Sequence, residues 1–380
     1  MNVDVFLESP ILILLIISLI FLAVFITTVI LNSIFGPFLK KEELTNAYPF
    51  VSILVPARNE EKNIKKIIDS VKKQNYPNYE LIILNDNSID NTYNLAKNAI
   101  QSIQKAKIIN GTELPVGWLG KNWACKQLAD ESKGEILIFT DADNFFDEIA
   151  ISKTVNILNR YNLDMFSVFP QQITSSFWEK LIIPIIDLII YSGLILKTTL
   201  LIPFSAFSAA NGQWIAVRRK SYFEIGGHQA VKNHIVEDVA LSRVFKQNKM
   251  RILTGAGTGV VFGKMYSSFS EIWHGLSKNV FGLTNFKTFP FFVILLVFSL
   301  ASVVPYISIF TYEYFYFSLI LISLNILWRS LLAINFKHNL ILSILFHPIS
   351  MIIFVIIGLN SFYQSKFGVL NWKGRKITIE

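Results

Sequence analysis

The alternation of apolar and polar positions divides the chain into three regions. The first is an uncharged run, PILILLIISLIFLAVFITTVILNSIF from Pro10 to Phe35, long enough as a helix to cross about 30 Å of hydrocarbon. Three further apolar stretches, roughly 289 to 310, 314 to 335 and 340 to 362, approach the same length near the other end. Between them the pattern changes from long apolar runs to short ones. VSILVPARNE predicts a buried strand from Val51 to Val55, stopped by Pro56. Ile64, Ile67, Ile68 and Val71 then recur at helical spacing, with lysines on the other face. ELIIL (80 to 84) predicts a second strand, followed by the polar turn NDNSIDN and a helix from about Asn91. A short strand at 107 to 109, a helix from about Lys121 and the strand in GEILIFT complete the series. Strands alternating with helices imply an α/β domain built on a parallel sheet covered on both faces. The expected organisation is an anchor over 1–40, a central domain over 48–285, transmembrane helices over 286–362 and a basic tail over 363–380.

Composition agrees: 52% of the 380 residues are hydrophobic and 14% aromatic, too oily for an ordinary soluble chain. Asp4 and Glu8 precede an apolar core of more than signal-peptide length, so the first stretch reads as an uncleaved anchor. Lys40 and Lys41 follow it, which puts the central region in the cytoplasm of a multi-pass cell-membrane protein. The single Cys125 permits no internal disulfide. The segment LIIPIIDLIIYSGLILKTTLLIP (181–203) contains Pro184, Asp187 and Lys197, and reads as interfacial or re-entrant, because a crossing there would separate the acids near 141 from those near 238. Lys366, Lys373, Arg375 and Lys376 also favour the cytoplasm, which predicts that one C-terminal stretch is incomplete. The net charge of +8 suits anionic membrane lipids, since no basic stripe with interleaved aromatics indicates nucleic acid.

In α/β sheets ligands bind outside the carboxyl ends of the strands. Arg58, Asn59 and Glu60 follow the first strand, Asp86 the second, and Asp141 and Asp143 the fourth. Taken alone, Asp86 is an ordinary turn or capping residue, and Glu60 and Glu61 are ordinary first-turn acids. Polar clusters at successive strand ends indicate a site. Asp141 and Asp143, two residues apart on leaving a strand, point to the same side. A hard cation, Mg²⁺ or Mn²⁺, relieves their repulsion and typically combines one or two carboxylates with phosphate oxygens. The alternative is that Asp143 and Asn144 cap a helix beginning near Asp147. Neither a dinucleotide-binding nor a P-loop glycine motif is present, which argues against hydride transfer and P-loop ATPase chemistry.

VSILVPARNEEKNI, NDNSIDNT, GEILIFTDAD, GGH and VEDVAL, in this order, resemble family 2 glycosyltransferases of the GT-A nucleotide-diphospho-sugar transferase fold. LPVGWLGKNWACKQL (114–128) and the terminal FGVLNWKGRKI are similar to the membrane-anchored lipid glycosyltransferases, among them hopanoid-associated and carotenoid-pathway enzymes. The resemblance implies that Pro56, Arg58 and Glu60 border the nucleotide of a UDP-sugar donor, that Asp86 reads the uracil and that Lys121 lies near the diphosphate. It implies that Asp141 approaches ribose and metal, that Asp143 ligates the metal and that Asp238 is the general base on a lipophilic acceptor. Asn87 stands where the family usually has glycine, and no Q-x-x-R-W motif follows Asp238, which argues against a processive polysaccharide synthase.

Asp238 also opens a helix with core spacing at Ala240, Leu241, Val244 and Phe245, so Glu237 or Asp238 has an alternative duty as a cap. His228 and His234 match no zinc spacing, and GGH reads as a tight turn. Trp214, Trp273 and Trp372 read as packing or interface residues. The expected function is an inverting, metal-dependent glycosyltransferase. The rivals are a processive synthase, a silent nucleotide-sugar sensor, and a transporter, the last weakened by scarce intramembrane charge.

Overall fold

The computed structural model describes residues 9–368, 370–372 and 375–377; Asp4, Glu8 and Lys373 lie outside the described residues, as do the side chains of Trp372, Arg375 and Lys376. The chain forms two compact units, one comprising 36–173 and 196–265, the other the N-terminal stretch to Phe35, 174–195 and the region from Tyr266 onward. The linear sequence reading assigns 181–203 and everything to 285 to the α/β region. In the structure 174–195 and 266–285 pack instead with the long apolar helices.

The unit containing 36–173 is built on strands β1 (Val51–Ala57), β2 (Tyr79–Asn85), β3 (Ala106–Asn110), β4 (Ile136–Thr140), β5 (Asn144–Phe146), β6 (Met165–Phe169), β7 (Gln171–Gln172), β8 (Trp214–Arg218), β9 (Ile252–Ala256) and β10 (Val261–Gly263). The main sheet runs β3-β2-β1-β4-β8-β6-β9, and β5-β10-β7 form a small second sheet. β1 continues through Pro56 instead of stopping before it. Val51 donates to Asn78 O and Ala57 O accepts from Asp86 N, so odd positions of β1 bond β2 and Pro56 faces the β4 side. Pairing with β4 ends at Leu54, so the missing N–H of Pro56 removes no ladder bond. The sheet is mixed, not parallel: β8 runs antiparallel to both β4 and β6. WIAVR is apolar enough for a central strand but carries no directional signal. Its reversal pairs Thr140 with Trp214, delivering the turn before β8 to the carboxyl end of β4.

Alternate side chains of β1 enter opposite cores. Val51, Ile53 and Val55 pack with Ile64, Ile67 and Ile68 of α2 (Ile64–Lys72) and with Ile151 and Val155, while Leu54 packs with Cys125, Leu128, Leu241 and Phe245. The other longer helices of this unit are α3 (Thr92–Ala99), α4 (Gly120–Glu131) and α5 (Ala150–Arg160), together with a later one, Glu237–Gln247; Thr198–Leu201 and Arg219–Glu224 form short helical turns. Asn144 enters β5 and α5 begins only at Ala150, so Asp143 and Asn144 do not cap a helix near Asp147.

The other unit contains α1 (Pro10–Phe35), α6 (Phe177–Ile182) and α7 (Pro184–Gly193); the helix at Glu237–Gln247 is α8, and α9 (Phe269–Asn279), α10 (Thr288–Ser308), α11 (Phe315–Phe336), α12 (Leu340–Leu345) and α13 (His347–Phe367) follow. Among the described residues four helices are long and apolar enough to cross a membrane: α1, α10, α11 with the turn before it, and α13. The last C-terminal stretch is therefore not shortened. Phe346 leaves helical geometry and Pro348 falls in the first turn that follows, where its missing N–H has no helical acceptor to lose, so the stretch splits into α12 and a full-length α13 displaced toward the C-terminus. α7, at 10 residues, spans only about 15 Å and cannot cross alone. Its carboxyl end is held by Asn32 of α1, whose amide donates to Tyr191 O and Leu194 O at 2.8 Å.

Candidate active site

The loops after β1 and β2 are knitted together by polar side chains. Arg58 Nη1 donates to Asp86 O at 2.9 Å and lies 3.8 Å from the Asp86 carboxylate. Asn59 takes a left-handed φ of 54° and accepts from Ile89 N at 2.9 Å. Glu60 N donates to Thr92 Oγ1 at 2.7 Å, and its carboxylate accepts from Asn63 Nδ2 at 2.8 Å. Glu61 accepts from Asn91 N in the β2 loop, so Glu60 and Glu61 serve the loop pair and precede the first turn of α2. The residue that satisfies the start of α3 is Asp90, through Thr92 N and Oγ1. Asp86 is thus relieved of the capping role and held, almost buried, against Arg58. Asn87 adopts φ 50°, the left-handed turn that its type tolerates.

A second cluster forms at the end of β4. Lys121, near the start of α4, places Nζ 2.8 Å from Asp141 Oδ1 and 2.9 Å from Glu237 Oε1. Asp238 accepts from Gly212 N through Oδ2 at 2.6 Å and from Val239 N through Oδ1 at 2.7 Å. It makes no side-chain capping bond at the N-cap of α8; one oxygen is committed to a residue brought in by β8. Gly212 lets these groups close in: a Cβ there would lie 3.0 Å from Lys121 Nζ, 3.2 Å from Glu237 Oε1 and 3.4 Å from Asp238 Oδ2, a tight fit against flexible side-chain ends. Asn144 fixes the backbone beside Asp143, donating to Thr140 Oγ1 at 3.2 Å and to Gln213 O, and accepting from Gln213 Nε2 at 3.1 Å.

Two carboxylates contact one ammonium and a third feels its charge, and their proton affinities separate. Burial alone would lower Lys121, but Asp141 and Glu237 raise it well above the ordinary lysine value. Burial raises Asp141 against the opposing pull of Lys121. Burial also works against ionised Glu237, yet Lys121 prevails and holds that carboxyl below its usual range. Asp238 is pushed up to about 7, first by burial and then by the charge of Glu237, with Lys121 opposing. Such a carboxyl is poised to accept a proton near neutrality.

Among the described residues no three His, Cys, Asp or Glu side chains converge as a self-contained metal cage. Asp141 and Asp143 nevertheless fit a hard dication: they are oxygen donors two residues apart, in a cluster whose acids outnumber its cations, and such ions complete their shells with phosphate oxygens and water. His228 does not belong to such a set. It is buried, its Nδ1 lies 2.8 Å from Tyr222 Oη, and burial pushes it down to about 4, hence neutral. Gly226 and Gly227 have φ of 81° and 53°, so GGH is a tight turn. Trp214 is a core residue whose Nε1 donates to Thr154 at 3.2 Å.

The sequence-derived residues thus fall into two groups: Arg58, Glu60 and Asp86 after β1 and β2, with Pro56 inside β1, and Lys121, Asp141 and Asp238 at the end of β4, with Asp143 just before β5. Sequence reasoning treated Glu237 only as a cap and passed over Gly212, Asn144 and Gln213. The signal available was NGQW, a glycine between polar residues immediately before a strand.

Residues 52–210 match the model of the glycosyl transferase family 2. Together with the fold, this shows a family 2 glycosyltransferase domain within a glycosyltransferase enzyme. It is 26% identical over 361 residues to the 4,4'-diaponeurosporenoate glycosyltransferase of Staphylococcus aureus strain USA300, covering 90% of this chain and 92% of the relative. The corresponding enzyme of strain bovine RF122 is 26% identical over 353 residues, with the same coverage. Among solved structures, the mannosyltransferase PcManGT from Pyrobaculum calidifontis, in complex with GDP-Man and Mn²⁺, superposes with a TM-score of 0.54 at 16% identity, covering 93% of this chain and 99% of that one. That likeness shows the GT-A fold.

Proposed function

We propose that this enzyme is a membrane-bound inverting glycosyltransferase that moves a hexose from a UDP-sugar to a small lipophilic acceptor. The observation that carries the reading is the Lys121, Asp141, Glu237 and Asp238 cluster at the end of β4, in which one acid is poised near neutrality while its neighbours are held by an ammonium. Asp238 takes the proton from the acceptor hydroxyl as that oxygen attacks the anomeric carbon. Gly212 N and Val239 N hold its carboxylate in place. Lys121 positions Asp141 and presents positive charge where the diphosphate departs. Arg58 and Asp86 line the nucleotide edge, with Pro56 and Glu60 bordering it. Asp141 and Asp143 would hold Mg²⁺ or Mn²⁺, which supplies neutralising charge to the leaving diphosphate when bound. A single displacement inverts the anomeric configuration.

The lipophilic acceptor is supported by two features. The relatives spanning nine-tenths of this chain are named for 4,4'-diaponeurosporenoate, and candidate membrane helices flank the α/β region in sequence, with the family domain facing the cytoplasm in the proposed topology. An acceptor hydroxyl is favoured because an ionised carboxylate would give Asp238 no proton to remove. Membranes containing the enzyme, incubated with radiolabelled UDP-sugar, should move label into the organic phase as a discrete low-mass product. Label confined to water-soluble oligosaccharide or high-mass polymer would overturn the proposal.

A further inference from the structure

The helical unit contains an ionised group that glycosyl transfer does not use. Arg329 of α11 is 1% exposed, in a helix long and apolar enough to cross a membrane. Its Nε donates to Ser343 O of α12 at 3.1 Å, while Nη1 and Nη2 are buried without hydrogen-bond partners. The hydroxyl of Ser343, the residue whose carbonyl Arg329 contacts, is likewise buried and unpartnered. Asp187 on α7 acts on Arg329 electrostatically but makes no hydrogen bond to it, its carboxylate lying 2.8 Å from His338 Nε2.

The neighbouring polar side chains do not supply the missing acceptor. Asn325 of α11 donates its amide to Ala301 O at 3.0 Å and Leu321 O at 3.1 Å, leaving Oδ1 facing His347 Nε2 at 3.1 Å. His347 must therefore donate from Nε2. Tyr306 of α10 also lies within electrostatic reach of Arg329, and Trp328 packs edge-on against His347 and stacks with Phe25. A guanidinium never gives up its charge in a protein and presents a planar fork that matches oxyanions. Ionisable residues within membrane helices pair with a partner or mark a binding path.

We propose that the interior formed by α11, α12 and α13 binds an anionic oxygen group, carboxylate or phosphate, carried by an amphiphile, with Arg329 Nη1 and Nη2 and the Ser343 hydroxyl as its donors. The amphiphile is favoured over a free anion because the site lies among candidate membrane helices. This inference is independent of the donor and acceptor assigned above. The two sources of the chemistry are a free fatty acid and an anionic phospholipid headgroup.

The test is thermal stability of the full chain in an uncharged detergent, titrated with oleate, phosphatidylglycerol, inorganic phosphate and, as uncharged control, monoolein. Oleate or phosphatidylglycerol should raise the midpoint of the wild type, and whichever acts at lower concentration identifies the source. Arg329→Gln should weaken that response at least tenfold, as expected for losing a charged bidentate contact. If Arg329→Gln does not fold, Arg329→Lys keeps the charge but loses the fork, and its affinity should also fall. A wild type unmoved by either amphiphile, an equal response to monoolein or inorganic phosphate, or unchanged affinity in the folded variants would each overturn the proposal.

Discussion

Replacing Asp238 by asparagine should stabilise the α/β unit as pH rises. In the folded chain this carboxyl is pushed up to about 7, by burial and then by Glu237, against about 3.9 in an unfolded chain. With the folded value raised, the native state binds the extra proton between those limits, and wild-type stability falls as pH climbs through them. The gap of roughly three pH units corresponds to about 4 kcal/mol at full ionisation. At pH 5 about 1.5 kcal/mol of that has already been lost, so the pH 5 to pH 8 increment is nearer 2 kcal/mol after discounting for partial solvent access. Asparagine carries no charge and escapes this loss. It also retains only one acceptor for the two N–H groups of Gly212 and Val239, a cost that is the same at every pH. The informative quantity is therefore the change with pH in the difference between variant and wild type. For a unit of this size roughly 2 kcal/mol corresponds to about 4–8 °C. Label-free intrinsic fluorescence melts at pH 5 and pH 8 would measure it, with Trp214 buried in the same unit as one reporter. A difference that does not change between those pH values would refute the idea that this acid is held protonated.

The same cluster yields further tests. Glu237→Gln should move the acid limb of turnover down by about one pH unit, since removing the neighbouring charge makes Asp238 easier to ionise; an upward or absent shift in the pH profile contradicts this. Asp238→Asn should keep donor binding and lower turnover by about two to four orders of magnitude. UDP affinity in Asp143→Ala, measured by calorimetry with and without EDTA, should lose the Mn²⁺ dependence expected of the wild type; equal wild-type affinities in both buffers would remove the metal from the scheme. Gly212→Ala should displace Lys121 or Asp238 and reduce turnover at least tenfold with the melting midpoint little changed, because the added methyl meets the tips of flexible side chains; full activity would show that the close approach is dispensable.

The parts of the fold visible in sequence were those with a strong period. The i, i+3, i+4, i+7 pattern at Ile64 to Val71 became α2, and the uncharged run at 10–35 became α1 without change. What escaped was set by partners distant in sequence. The direction of β8 depends on the chain's re-entry after α7, which no local pattern in WIAVR records. Extension of β1 through Pro56 depends on where β4 stops pairing. At the site, the paired acids at 141 and 143 were legible because they follow a strand directly. Glu237 was not, because its partner Lys121 is far away in the chain and only the folded sheet brings them within 2.9 Å.

The position of β8 has a consequence for the order in which the chain can fold as it is made. β3, β2, β1 and β4 can pair as soon as Thr140 has emerged, but β4's other neighbour is β8, and β6 also needs β8 on one side. Between β6 and β8 the ribosome must deliver α6 and α7, which belong to the helical unit. At elongation speeds of about 5–20 residues per second, the β6 edge stays open for roughly 2 to 9 seconds and the β4 edge for about 4 to 15 seconds while an apolar segment seeks its own helices. A chain ending anywhere between Ile173 and Trp214 would never close them, and would expose both unpaired strands and part or all of the apolar segment to its neighbours.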